Sequence, residues 1–287
     1  KQKTDLGLDL VPYPQIFNDV NNQKAEVILY RPTGESGDFE KANFPIGVEG
    51  GKTSTCPTQN LMEAYDMKDG TPFVWNNQSN PYDNRDPRMK YTIVCNEMKW
   101  PVDPVEIWEG GTNGLPLQNA TTTGYYLKKY VNNTISFEAG STVTKKQHNW
   151  VLFRYGEILL NYAEAMINAF HDPNYKDAVY NMSAREAVNQ IRGRTNISLP
   201  GFPSDITEKD FVKRLKNERR VELAFEGHRF WDVRRWKELG QTANIYGVKI
   251  TKNNEVISYE KFLLETRAVT DNMYFYPIPN TERFKNP

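Results

Sequence analysis

The densest run of chemically capable side chains spans Glu218 to Asp232, where Glu222, Glu226, His228 and Asp232 fall within one short string. Carboxylates and an imidazole at this spacing could ligate a metal or form an acid/base pair, and His228 and Asp232 share a face if the segment is helical. The same string carries Arg219, Arg220 and Arg229, followed at once by Arg234 and Arg235. Carboxylates among so many guanidinium groups form fork-to-fork ion pairs that fix packing. Glycoside hydrolysis by paired carboxylates needs one acid of raised pKa, and neighbouring arginines push the other way. No catalytic residue is therefore assigned. Metal binding is not expected either, because Asp66, Asp69, Asp83 and Asp86 do not follow the spacing of a calcium loop. Nor do Cys56 and Cys95 match a zinc or redox pair, and a thiol pair and a disulfide both stay open. No cofactor is implied.

A second kind of chemistry is written in the loops. Aromatic residues recur in Gly-, Asn- and Pro-rich sequence without helical or alternating period, and loops are where binding residues concentrate. Sugar rings offer flat C–H faces with hydroxyl edges, so a recogniser needs an aromatic platform with amides or carboxylates beside it. Trp75 is followed by Asn76, Asn77 and Gln78, and Trp108 by Glu109 and, further on, Asn113. Tyr30, Phe44, Trp75 and Trp108, with Asn76 and Asn77, form the expected glycan-binding set.

The elements that must position these groups divide at about residue 150. Residues 1–149 are rich in turn signals such as Arg31-Pro32-Thr33-Gly34, Lys68-Asp69-Gly70 and Gly110-Gly111-Thr112-Asn113-Gly114. Long loops are expected there, with short strands at Glu26–Tyr30 and Tyr91–Cys95 and a helix at Thr58–Met67. Residues 150–287 read as a helical scaffold. Leu152, Tyr155, Ile158, Leu159, Tyr162, Ala163, Met166, Ile167 and Phe170 recur every three or four residues, predicting a long helix that ends before Pro173. Its aromatics are core by this spacing rather than a stacking ladder, with Glu157 and Glu164 on a solvated or ion-paired side. Ser183 caps a second helix to about Arg194, and Thr207 with Asp210 opens a third towards Glu226. Such antiparallel pairs suggest a helical-hairpin scaffold, without a clean self-repeat of about 34 residues.

Lys+Arg 36 balance Asp+Glu 36, so no global field attracts a polyanion, and a nucleic-acid partner is not expected. No run reaches the length of a membrane span, so any attachment must come from sequence outside this chain.

Several collinear strings resemble the SusD/RagB family. They are Thr58-Gln59-Asn60-Leu61-Met62-Glu63-Ala64-Tyr65-Asp66-Met67-Lys68-Asp69-Gly70, then Asn84-Arg85-Asp86-Pro87-Arg88, and Arg154-Tyr155-Gly156-Glu157-Ile158-Leu159-Leu160-Asn161-Tyr162-Ala163-Glu164-Ala165. Asn189-Gln190-Ile191-Arg192-Gly193-Arg194, the Glu218 to Asp232 string, Pro277-Ile278-Pro279 and Asn286-Pro287 follow in order. The resemblance is strong from about residue 57 onward and weak before it. It implies a mainly α, SusD-like fold with tetratricopeptide-like helical pairs, large irregular loops and short strands. Residues 1–287 are then the C-terminal part of a single SusD/RagB-like domain whose N-terminal half is absent from this chain. The implied function is capture of an oligo- or polysaccharide at the bacterial outer-membrane surface and its delivery to a SusC-like TonB-dependent transporter. The implied membrane contact is a lipid anchor on the missing N-terminal part. A carbohydrate-active enzyme, or a helical scaffold holding another protein, are the alternatives.

Overall fold

A computed structural model of the chain describes residues 7–17, 25–76, 80–138 and 144–285. In the first half, β1 (Val27–Ser36) is followed by α1 (Asp38–Asn43), α2 (Gln59–Met62), α3 (Met89–Thr92), β2 (Ile93–Val94) and β3 (Tyr126–Leu127). The second half begins with β4 (Lys146–Arg154), which runs directly into α4 (Tyr155–Phe170). Then come α5 (Ala184–Arg192), α6 (Glu208–Glu222), α7 (Arg229–Arg235), β5 (Asn244–Asn253), β6 (Val256–Thr266) and α8 (Asn280–Arg283).

The long helix forms where the periodicity places it, but it starts three residues later than its first apolar member. Leu152 belongs to β4, paired antiparallel with β1. Tyr155, Leu159, Leu160, Ala163, Met166 and Ile167 are buried, whereas Ile158 is exposed. His171 takes a left-handed backbone conformation at the C-terminus, and Pro173 follows as a stop. Around α5, the Ser183 hydroxyl accepts from the Glu186 N–H while the Glu186 carboxylate accepts from the Ser183 N–H, a complete capping box. Thr207 Oγ1 accepts from the Asp210 N–H at the start of α6. Helices α5 and α6 pack on α4 and share one apolar cluster with it, which includes Val188, Ile191, Phe211 and Leu215.

Three expectations change. The first strand continues through the Arg31–Gly34 turn signal, with a register irregularity between Pro32 and Glu35. Pro32 is tolerated because the sheet has only two strands and every strand is an edge. Tyr91 and Thr92 close α3, leaving Ile93 and Val94 as the strand. The helix expected from Thr58 shrinks to one turn capped by the Thr58 hydroxyl. Arg85 then consumes the carbonyls that would have continued it, donating to Met62 O at 2.7 Å and Tyr65 O at 2.6 Å.

The β5/β6 hairpin, ten and eleven residues per strand, has no counterpart in the sequence reading. Val248, Ile250 and Tyr259 join it to a core of Phe44, Tyr65, Ile93, Val94, Tyr125 and Tyr126. Gly124 permits that contact: its backbone is left-handed, and a Cβ there would lie 2.4 Å from Val248 O. The core thus crosses the boundary at residue 150. No described helix is long and apolar enough to cross a membrane.

Candidate functional site

Trp108 is placed by a glycine turn and by the hairpin. Gly110 has φ +89°, and a Cβ on Gly114 would sit 2.1 Å from Trp108 O, so the segment folds back tightly over the tryptophan backbone. The Glu109 N–H donates to Ile250 O of β5 at 2.9 Å. These ties leave the indole half-buried, with the Lys252 ammonium 4.4 Å from its centroid. Glu109 is exposed and pairs with Lys249 at 3.3 Å. Beside the turn lies a cavity of about 240 Å³ lined by Ile107, Glu109, Leu115, Thr121 and Phe262 among others. Asn113 is structural: it is buried, and its Oδ1 accepts from the Gly47 N–H at 2.8 Å.

Trp75 is half-buried and meets Phe73 edge-on at 6.4 Å between centroids. Phe73 in turn lies under the Arg85 guanidinium, 3.6 Å from its centroid. Asn76 is exposed beside Trp75, and Asn77 lies outside the described residues. Phe73 also lines a larger cleft of about 450 Å³ between the 63–73 segment and α6.

The other two aromatics stand elsewhere. Tyr30 is 46% exposed on β1, opposite Val151 of β4. Its exposed neighbours on this sheet, Ile28, Leu29, Leu152 and Phe153, are apolar. Phe44 offers no face at all: it is fully buried, packed edge-on against Trp100 at 5.4 Å and Phe137 at 6.0 Å. Its place after α1, in a chain segment that folds over the core, removes it from the binding set.

The Glu218 to Asp232 string is an ion-pair network whose arginines come mostly from distant segments. Glu218 accepts from Arg88 at 2.5 Å and Arg192 at 2.7 Å. Glu222 accepts from Arg88, Arg154 and Arg194 at 2.9, 2.8 and 2.8 Å. Glu226 pairs with Arg154 and Lys129. Asp232 bridges Arg219 and Arg235. Glu26 joins the network through Arg154 and Arg194, and Asp86 through Arg88. Burial opposes ionisation of Glu218, Glu222 and Glu226, but the cations outweigh it and hold all three below the ordinary carboxylate range. None of these three is the protonated acid that hydrolysis requires. His228 stands 3.7 Å from Glu157, and desolvation lowers its pKa. Cys56 and Cys95 are free thiols, and burial pushes Cys95 up to about 12. Among the described residues no group of three or more His, Cys, Asp or Glu could hold a metal ion.

Sequence reasoning missed a cluster formed by Phe230, Trp231 and Tyr276. Their centroids lie 5.0 to 5.8 Å apart, and Trp231 and Tyr276 are 56% and 66% exposed. The first two sit inside a charged string and the third in the tail, a juxtaposition that no spacing rule carries. It also missed the cleft beneath α6, whose lining comes from segments more than a hundred residues apart.

The model of the SusD family matches residues 16–287. A SusD-like protein from Formosa agariphila is 28% identical over 153 residues, covering 52% of this chain and 26% of that protein. Two solved structures from Bacteroides fragilis are similar over 98% of this chain. One is a SusD-like protein, with TM-score 0.80 and 25% identity. The other is described as a SusD-like carbohydrate binding protein, with TM-score 0.78 and 24% identity. The chain spans 58% of the length of each of these two structures.

Proposed function

The chain belongs to the SusD family, and on that premise we propose that it captures an oligo- or polysaccharide at the cell surface and breaks no bond in it. The observation that carries this reading is the setting of Trp108. A half-exposed indole is held by a glycine turn, with the Lys252 ammonium over its ring and the exposed Glu109, paired with Lys249, next to it in the chain, so that an aromatic platform has charged hydroxyl-readers nearby, as a sugar needs. Trp75 with Asn76, and Tyr30, are the further contacts in this proposal; Phe44 is not.

The wider setting belongs to the same proposal. The captured glycan passes to a SusC-like TonB-dependent transporter, and the whole protein is held at the outer membrane by a lipid anchor. The packing of α4 on α5 and α6 serves as a tetratricopeptide-like scaffold that fixes the loops. The carboxylates of the Glu218 to Asp232 string then have a purely architectural role, which supports binding without cleavage.

The test is calorimetric titration of the whole protein against plant, host and microbial polysaccharides, with product analysis of the same mixtures. Binding without cleavage that is lost in Trp108→Ala while the fold persists supports capture. Products of hydrolysis would make the chain part of an enzyme. Silence across a broad panel would favour a scaffold holding another protein.

A further inference from the structure

In the buried ion network the arginines are matched to carboxylates, while the buried Arg85 is satisfied by backbone carbonyls. Arg88, Arg154, Arg192 and Arg194 each have at least one carboxylate oxygen within 3.0 Å. The cleft of about 450 Å³ beneath α6 is different. Arg220 and Arg229 both line it, half-buried, and among the described residues neither has a carboxylate oxygen within 4.0 Å. Arg220 donates to Asn60 O at 2.7 Å, and Arg229 to Gln241 Oε1 at 2.9 Å. Both partners are neutral.

The three acids in the cleft wall do not compensate for this pair, because each is engaged by another cation. Glu63 pairs with Lys261 at 2.8 Å, Glu238 with Lys216 at 2.5 Å, and Asp66 with Arg192 at 3.4 Å. Lys209 and Lys213, one helical turn apart on α6, add two exposed ammonium groups to the same wall, and among the described residues neither has an ion-pair partner. The cleft therefore presents an excess of positive charge in a protein whose formal net charge is zero. Burial, and then the like charge of Arg229, lower the pKa of Arg220 to about 10. An anion in the cleft would relieve that repulsion and pair with guanidinium groups whose fork geometry matches carboxylate and sulfate oxygens.

The cleft also has an apolar wall, formed by Pro72 and Phe73, and Phe73 is the ring that Trp75 meets edge-on. Phe73 thus links the cleft to Trp75, a further contact in the capture proposal.

We propose that this cleft binds an anionic sugar unit, a uronate carboxylate or a sulfate ester, held by Arg220 and Arg229 with Lys209 and Lys213 at the rim. The proposal rests on the glycan-capture reading and narrows its substrate class to acidic polysaccharides. Charge, rather than ring shape alone, then selects the ligand.

The experiment titrates the whole protein with polygalacturonate and with a sulfated galactan, each against its uncharged form, carboxyl-reduced or desulfated. The expected result is at least about tenfold tighter binding of one acidic polymer than of its uncharged form, weakened between about 0.1 and 1 M salt as the Debye length falls from about 10 to about 3 Å. The arm that binds tells carboxylate from sulfate. Arg220→Gln with Arg229→Gln should abolish the preference. Since Arg220 also ties α6 to Asn60, the surface variant Lys213→Glu serves as a second test and should weaken acidic binding alone. Equal affinity for charged and uncharged polymers, or an acidic preference that survives both variants, would overturn the inference and leave capture standing. Failure of every polymer to bind would overturn both.

Discussion

Glu222→Gln separates an architectural carboxylate from a chemical one. Glu222 is fully buried, with Oε1 accepting from Arg154 and Arg194 and Oε2 from Arg88. An amide oxygen in the Oε1 position keeps two bonds but as neutral acceptors, and the NH₂ group then faces the Arg88 N–H donor to donor. The lost charge-assisted bond removes about 1.5–3 kcal/mol, and the two bonds to Oε1, still charge-assisted through the guanidinium but without the carboxylate charge, weaken by roughly 1 kcal/mol each, for a sum of about 4 kcal/mol. This falls within the roughly 3–5 kcal/mol expected when a buried ion pair is broken from one side. At about 2.1 cal/mol/K per residue, 287 residues unfolding together carry about 0.6 kcal/mol/K, so the midpoint should fall by roughly 7 °C. Differential scanning calorimetry at neutral pH reads this directly, with polysaccharide titration of the folded variant alongside. A midpoint change under about 2 °C, or lost binding with unchanged stability, would refute the architectural assignment.

Trp108→Ala should weaken polysaccharide binding by about 1–2 kcal/mol, about tenfold or somewhat more, with an unchanged circular dichroism spectrum. Phe44→Ala should instead cost about 3–5 kcal/mol of stability, seen as a lower denaturation midpoint, because it opens a cavity between Trp100 and Phe137. Ser183→Ala should cost about 1 kcal/mol in urea unfolding through loss of the α5 capping box. Two opposite pH limbs are expected. Glu218, Glu222 and Glu226 are held below their unfolded values, so their stabilisation is present above about pH 4 and lost as pH falls further. Asp66 is raised to about 6, by burial first and Glu218 second, so its contribution is full below about pH 4 and is lost as pH rises through 6. Thermal midpoints across pH 3 to 8 should show both limbs, and Asp66→Asn should remove only the second.

The sequence was most legible where a local rule acts alone. The stripe through α4 and the Ser183 cap depend on neighbours three and four residues away, and both formed. The hairpin had only a short local signal, the Val248-Lys249-Ile250-Thr251 alternation before Asn253-Asn254, while the surface that its apolar residues meet lies more than a hundred residues earlier. Phe44 failed for the opposite reason. Its turn-rich surroundings resemble those of Trp108, yet the segment folds over the core, and composition does not encode which side of a loop faces inward.

The ion network was half legible. Arginines near Glu218, Glu222 and Glu226 suggested pairing, but Arg219 and Arg235 turn to Asp232, while Arg220 and Arg229 turn to neutral partners around the cleft. The buried acids are matched instead by Arg88, Arg154, Arg192 and Arg194. Because those four arrive from other segments, the local arginines are released from the pairing that their spacing implies. A charged string that balances on paper is thereby sorted by the fold into a neutralised core and a surface with cations to spare. That sorting leaves an electrically neutral protein with a local excess of cations, the feature on which the proposed recognition of acidic ligands rests.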